Sequence, residues 1–463
     1  MVVSLRHTAR TIAFAVVLLL VLPVLAIVLV NLPDEALSAA ASARLAYENA
    51  PAAGNDAAAL WAFDAPPGVD AVLVGRAVYD SYQGLAHDDP LRADWTIKRF
   101  YADVPFQFPR ELACGDPQSA CVPTYLEQAQ RVQALAGQQA ALLERLGAID
   151  GAAQWHELAP PASPQAPQER LTALTSIFSL SLGTAALDVV GGRSQAGVAR
   201  LEQDTRIARR VMGASDSLLC KMVATDMLRR ALLAYSELLS TQRSSAAQVT
   251  ALTSSLERVA GDLTPAERSL AAPLDYEARI LRTLVLQLAH GDTTSAGSPA
   301  ERLALFATPV LLKPDATTNL QSELLDLETP LMTRDAAGFA LGVGAVREAL
   351  TQRSASFAAL DWRALYNPLG KTLASDPPDL TGAAARVHDV EVLLRAVRLK
   401  ARMERAAVPF ADAQRFATSS EPRLVDPYSG APFEWRAADA ALVLPQQGSH
   451  PVRQIAIPLA SGN

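Results

Sequence analysis

Three cysteines in 463 residues exclude a small scaffold held together by disulfides. Charged residues make up only 19% of the chain, while half of it is apolar. That apolar surface can offset the entropy of ordering, which excludes a disordered chain. Positive charge is in deficit: 41 Lys and Arg against 48 Asp and Glu leave a net −7. This argues against a broadly basic nucleic-acid binder. Lysine itself is rare, with Lys98, Lys221, Lys313, Lys371 and Lys400 the only five, and the six histidines are scattered.

What is present begins with Thr11 to Val30, 20 residues without a charge. As a helix rising ~1.5 Å per residue, this run spans about 30 Å, the hydrocarbon thickness of a bilayer. Arg6 and Arg10 precede it, and Asp34 and Glu35 follow it. This charge bias predicts a cytoplasmic tail over 1–10, a transmembrane helix over 11–31 and export of everything beyond. The bilayer, met through residues 11–30, is thus the first expected partner. Small residues over Ser38 to Ala43 leave cleavage as a signal peptide as the competing reading, although the run exceeds the ~7–15 residues of a signal core.

In an oxidising compartment Cys114 and Cys121, joined by the turn-forming Gly115, Asp116 and Pro117, are expected to form a small-loop disulfide. Cys220 lies in an apolar helical pattern and reads as a small core residue.

The fold class expected is mainly α: an N-terminal transmembrane helix, an exported bundle of antiparallel helices, and a small C-terminal antiparallel sheet. An Ala-rich stalk occupies 32–47. A loop-rich, disulfide-containing region plus a helix fills 48–158; prolines and aromatics (Trp61, Phe63, Tyr79, Trp95, Phe106, Phe108) crowd it, and Tyr125 to Leu146 reads as the helix. The bundle covers 168–300. It has helices near 171–190, 194–213, 215–242 and 246–260, with Ser245–Gln248 and Thr264–Glu267 as capping boxes. Residues 215–242 are apolar almost all round and are expected at its centre. Residues 301–463 form a further helical region. It carries two polar turns, LLKPDATTN (311–319) and LYNPLGKT (365–372), helices near 337–358 and 383–407, and strands near 432–436, 440–444 and 452–459.

Familiar active sites are missing. GKT at Gly370 to Thr372 lacks the glycine five residues earlier that a phosphate loop needs, so no nucleotide is expected. GASDS at 213–217 has Ser217 where a nucleophile elbow needs glycine, and Asp216 or Ser215 reads better as a helix cap. Gly342 and Gly344 lack a third glycine and a preceding strand. His388 and Glu391 share a helix face, but no second such pair exists for a metal; His388 reads as a solvated residue near a helix start. No cofactor and no metal are expected. Two polar constellations remain. Asp315, Asn319, Asn367 and Lys371 form a candidate binding site if the two turns meet in space. Lys221 and Glu277, on the apolar sides of their helices, are a candidate structural ion pair.

AFDAPPGVDAVLVGR, the two cysteines, RIARRVMGASDSLLCKMVA, LLKPDATTN, LYNPLGKTL and DPYSGAPFEW occur in that order. In these landmarks the chain resembles a group of uncharacterised, single-span envelope proteins of Gram-negative bacteria. The resemblance implies a mostly helical exported domain at the inner membrane and no particular activity. DPYSGAPF is also similar to a C-terminal segment of type II secretion pseudopilins, over about ten residues only. The expected function is a non-catalytic binding or assembly role with an envelope protein partner, without nucleic acid. The alternatives are an enzyme of unfamiliar type centred on the 313–319 and 366–372 turns, and an accessory part of a secretion or pilus system.

Overall fold

A helix begins where a side chain can satisfy its first free N–H groups. A computed structural model of the protein describes residues 21–22, 25–46, 54–88, 106–112, 121–160, 170–241, 245–290, 307–357, 365–375, 380–419, 424–445, 447 and 456–458. Both expected capping boxes are present, Ser245 with Gln248 and Thr264 with Glu267, the second followed by Pro265 in the first helical turn.

The helices in chain order are α1 Ala39–Leu45, α2 Ala71–Asp88, α3 Cys121–Glu127, α4 Ala129–Gln138, α5 Ala140–Gly151, α6 Leu171–Val190, α7 Ser194–Gly213 and α8 Leu218–Leu239. They continue as α9 Ala246–Val259, α10 Pro265–Arg268, α11 Ala271–His290, α12 Pro314–Met332, α13 Ala336–Phe357, α14 Pro368–Ala374, α15 Leu380–Arg405 and α16 Ala413–Ser419. The architecture is mainly α with a small antiparallel sheet. In it β1 (Glu434–Arg436) pairs with β2 (Ala441–Val443), and β2 with β3 (Ala456–Pro458). All three strands fall inside the ranges expected for them.

The core is built on α6, α7, α8 and α15. Helix α6 is long and apolar enough to cross a membrane by length and composition, but most of it is buried inside the protein. Its hydroxyls are satisfied internally: Ser179 and Thr184 donate to the carbonyls of Thr175 and Leu180, each at 2.9 Å. Gly192 takes φ +92°, a left-handed turn that glycine permits, and sends the chain back as α7. Helix α8 packs on α6 and α7, and α15 packs on α8 and α9. One continuous apolar cluster therefore holds residues from both sides of position 300, such as Leu228, Leu232, Val387 and Leu394. The 168–300 bundle and the 301–463 region therefore share this core, into which α15 packs.

Other local expectations change too. The region expected to be loop-rich holds helix before Tyr125 as well: Asp56–Ala62 form a 3-10 helix and α2 is 18 residues long. Asp70 starts α2 by accepting the N–H groups of Val72 (2.9 Å) and Leu73 (3.1 Å), so Pro66 and Pro67 precede a helix instead of breaking one. Trp61 and Tyr79 meet edge to face at 5.4 Å inside this layer. The single helix expected from Tyr125 to Leu146 is three, α3 to α5, interrupted at Gln128 and Gln139, whose φ values of −107° and −105° leave the helical region. Ser217, not Asp216 or Ser215, caps α8. On α8, expected to be apolar almost all round, Leu219 is exposed while Lys221 is buried. The turns at 311–319 and 365–372 are helix starts, with Pro314 and Pro368 in the first turns of α12 and α14. The Ala-rich stalk is helical only over α1.

Of the apolar run Thr11–Val30, residues 11–20 and 23–24 lie outside the described residues; 21–22 and 25–30 are helical. Val21, Leu22, Leu25 and Leu29 are exposed there. Cys114 lies outside the described residues, as do Trp95 and residues 452–455.

Candidate functional site

The first polar residue after the apolar run is Asn31, and it is fully buried. Its side-chain amide donates to the carbonyls of Ile27 (2.8 Å) and Leu365 (2.6 Å), and its Oδ1 accepts the Asn367 N–H at 2.7 Å. Asn367 sits just before α14 with φ +51°, a left-handed conformation that asparagine tolerates better than most residues. Its Oδ1 accepts the Lys313 N–H at 2.9 Å, and its Nδ2 donates to Thr317 Oγ1 at 3.0 Å. The two polar stretches therefore do meet, and the end of the apolar run meets them.

The chain after Asn31 continues along α12. Lys313 precedes that helix and offers no side-chain cap. Asp34 caps it from 281 residues away: its carboxylate accepts the N–H groups of Asp315 (3.0 Å) and Ala316 (3.1 Å). A negative charge at a helix N-terminus also faces the positive end of the helix dipole. Asn319 then pairs with the passing backbone, accepting Ser38 N–H at 2.8 Å and donating to Ala36 O at 3.0 Å. Arg44 on α1 finishes the attachment, with Asp275 of α11 at 2.9 Å, Thr329 Oγ1 of α12 at 2.7 Å, and Asp326. Asp315 itself is held by Arg282 at 2.5 Å. The carboxylates of Glu35, Asp34 and Asp315 add to the desolvation that pushes the Tyr366 hydroxyl up to about 12. Gly370 is required at its position, since a Cβ there would stand 2.0 Å from Thr317 Oγ1 and 2.3 Å from Asn367 Oδ1.

Of the four expected site residues, Asp315, Asn319 and Asn367 join this clasp directly. Lys371 follows on α14, and its N–H donates to Asn367 O at 3.0 Å. Asn31 and Asp34 are the members that sequence reasoning missed. Their signal was position alone: they are the first polar residues beyond the apolar run. The side chains of Asn31, Asp34, Asn319 and Asn367 bond mainly to backbone groups of the segments they join.

The second constellation is corrected. Lys221 is buried, but its ammonium donates to the carbonyls of Met212 (2.7 Å) and Ala266 (2.9 Å), at the ends of α7 and α10. Burial lowers Lys221 to about 8, against the opposing pull of the Glu267 carboxylate. Glu277 is not among its partners; burial alone raises that carboxyl. A second buried lysine, Lys400, donates to Ser236 O (2.7 Å), Ser236 Oγ (3.1 Å) and Ser240 Oγ, tying α15 to the end of α8; burial lowers it to about 7.

GASDS also resolves as structure. Ser217 accepts the Cys220 N–H and donates to Glu157, whose carboxyl accepts the N–H groups of Asp216 (2.5 Å) and Ser217 (2.8 Å). Burial pushes Glu157 up to about 7. His388 is buried, not solvated, between Phe339 (4.9 Å) and Tyr428 (6.3 Å), and desolvation lowers it to about 4. Glu391 bonds Arg395 at 2.9 Å, and among the described residues no group of three His, Cys, Asp or Glu side chains could hold a metal. Cys220 is buried and forms no disulfide.

Comparison with protein-family models, with curated proteins and with solved structures found no match.

Proposed function

We propose that the chain is a helical protein tethered to the bacterial inner membrane by residues 11–30, with its domain in the periplasm and a non-catalytic binding or assembly role in the envelope. The observation that carries this is the contrast across position 31. Leucines and valines on one side stand uncovered in a helix, while the first polar side chain beyond them is buried in a dedicated clasp. A lone apolar helix left in water would lose about 25 cal/mol for every Å² it exposes, which lipid would recover. The clasp supplies the complementary need, a fixed joint between a tether and its cargo. The likeness to single-span envelope proteins belongs to this reading, as does a Cys114–Cys121 disulfide.

Alkaline extraction of membranes and protease protection of spheroplasts test the proposal together. The full chain should stay with the membrane and be digested from the outside. Release into the soluble fraction, or protection of the C-terminal region, would overturn it. The enzymatic alternative gains the meeting of the two polar stretches, but Asn31, Asp34, Asn319 and Asn367 spend their side-chain hydrogen bonds on nearby backbone groups and on Thr317, and this favours the structural role.

A further inference from the structure

The clasp fixes what lies beside the tether. Asn31 Nδ2 is 2.6 Å from the carbonyl of Leu365, and Asn367 closes the same joint. The segment 365–375 therefore sits where the apolar helix ends. Its sequence, LYNPLGKTLAS, contains three exposed leucines: Leu365 (38% exposed), Leu369 (36%) and Leu373 (37%). Leu369 and Leu373 are one turn apart on α14 and share a face. Leu32, which follows Asn31, is 67% exposed. The segment holds no acidic residue, and its single charge is Lys371. Tyr366, half-buried, adds an amphipathic ring of the kind favoured at membrane–water boundaries.

We infer that Leu32, Leu365, Leu369 and Leu373 form a lipid-contact face that rests in the outer leaflet of the same bilayer, with Lys371 at the level of the anionic headgroups. The inference rests on the tether reading. If residues up to Val30 lie in hydrocarbon, a backbone atom within hydrogen-bond reach of Asn31 cannot be far from the interface. Apolar side chains bordering that point then gain by entering it, while a lysine stem can lie along the apolar boundary with its charge in the headgroups. Lipid is the occupant argued for, because Leu365 and Asn367 bond directly to the residue that follows the apolar run. The consequence is orientation: the domain is held by a span and a second footing, so its outward surface is presented at a fixed tilt.

The test places the photoreactive residue benzoylphenylalanine, one position at a time, at Leu29, Leu369, Leu373 and Leu73 in the full-length chain. The protein is reconstituted in vesicles of phosphatidylethanolamine and phosphatidylglycerol, and adducts are read by intact mass. Leu73 serves as the reference, an exposed leucine (67%) on α2. Lipid adducts are expected at Leu29, Leu369 and Leu373 and not at Leu73. Adducts at Leu29 but none at Leu369 and Leu373 would overturn this inference and leave the tether standing. So would crosslinks from those two positions to another polypeptide, or equal lipid adducts at Leu73. Absence of lipid at Leu29 would overturn the tether and this inference with it. Unchanged thermal melting of each variant checks that these exposed positions tolerate the probe.

Discussion

Asp204 is a carboxyl placed where its charge is costly. It is buried between α6 and α7, Ser181 donates to its Oδ1 at 2.9 Å, and its Oδ2 has no partner. Desolvation pushes it from 3.8 up to about 7, against the partial relief of Ser181 and Arg200. The folded chain therefore holds a proton that the unfolded chain has lost between about pH 4 and 7. Stability from this group is full below the unfolded value and is lost as pH rises through the folded one. Between pH 5 and pH 8 the loss is on the order of 2 kcal/mol, taking about 1.4 kcal/mol per pH unit. Asp204→Asn cannot titrate, so urea denaturation at the two pH values should show a fall smaller by about that amount in the variant, part of the remainder coming from Glu157, which burial also pushes up to about 7. An equal fall in both proteins would mean that Asp204 is not the group responsible. Gly370 carries the opposite kind of constraint, one of space. A Cβ 2.0 Å from Thr317 Oγ1 forces the clasp apart, and Gly370→Ala should lower stability by about 1–3 kcal/mol, read as a lower melting temperature.

Helix α12 receives its cap from the far end of the chain. Asp34→Ala should remove about 1 kcal/mol and speed hydrogen exchange at the Asp315 and Ala316 amides, whereas Asp34→Asn, which keeps an oxygen acceptor, should retain part of the protection. Unchanged exchange in Asp34→Ala would show that the cap contributes nothing. The difference between this cap and those of α9 and α10 marks what the sequence made legible. Ser245 with Gln248, and Thr264 with Glu267, act over three residues, so spacing alone revealed them. Asp34 acts over 281 residues, and no local pattern encodes that. Helix α2 was hidden for another reason. Prolines at 66, 67 and 90 were read as breakers of one region when they stand on either side of a helix that Asp70 begins. Lys221 and Lys400 resist reading because their partners are mostly backbone carbonyls and serine hydroxyls, which every helix end carries. The face of α8 also turned out rotated from the stripe of purely apolar residues, since a lysine with two carbonyl partners was buried and Leu219 was left outside. Asn319, Asn367 and Asp315 stand out as candidates because polar residues cluster around proline there; that they hold the segment following the apolar run shows only in Asn31 and Asp34 arriving beside them.

Whether the chain is one cooperative body or two depends on α15. Its apolar residues Val387, Val390, Leu394 and Val397 lie in the same core as Leu228 and Leu232 of α8. Thr253 of α9 donates to Ala401 O at 3.2 Å, and Lys400 reaches the serines at the end of α8. The C-terminal turn adds to this: Tyr428 donates to Asp389 Oδ1 at 2.7 Å on α15, and Asp426 accepts the N–H groups of Tyr428 (3.0 Å) and Ser429 (3.2 Å) to hold the turn itself. Removing α15 would bare the α8 and α9 surfaces on which it packs and leave Ser236 and Ser240 without their lysine. A fragment ending near 300 keeps α6 to α9 but loses that cover, and exposed core faces of this kind drive aggregation or partial collapse. The expected outcome is that residues 168–300 expressed alone give a molten or insoluble product. The chain from residue 32 onward, reconstituted with detergent if the leucine face requires it, should unfold in one transition by both circular dichroism and tryptophan fluorescence. A soluble 168–300 fragment with a sharp melting transition of its own would show instead that the bundle folds without α15 and that the chain is two bodies sharing a contact.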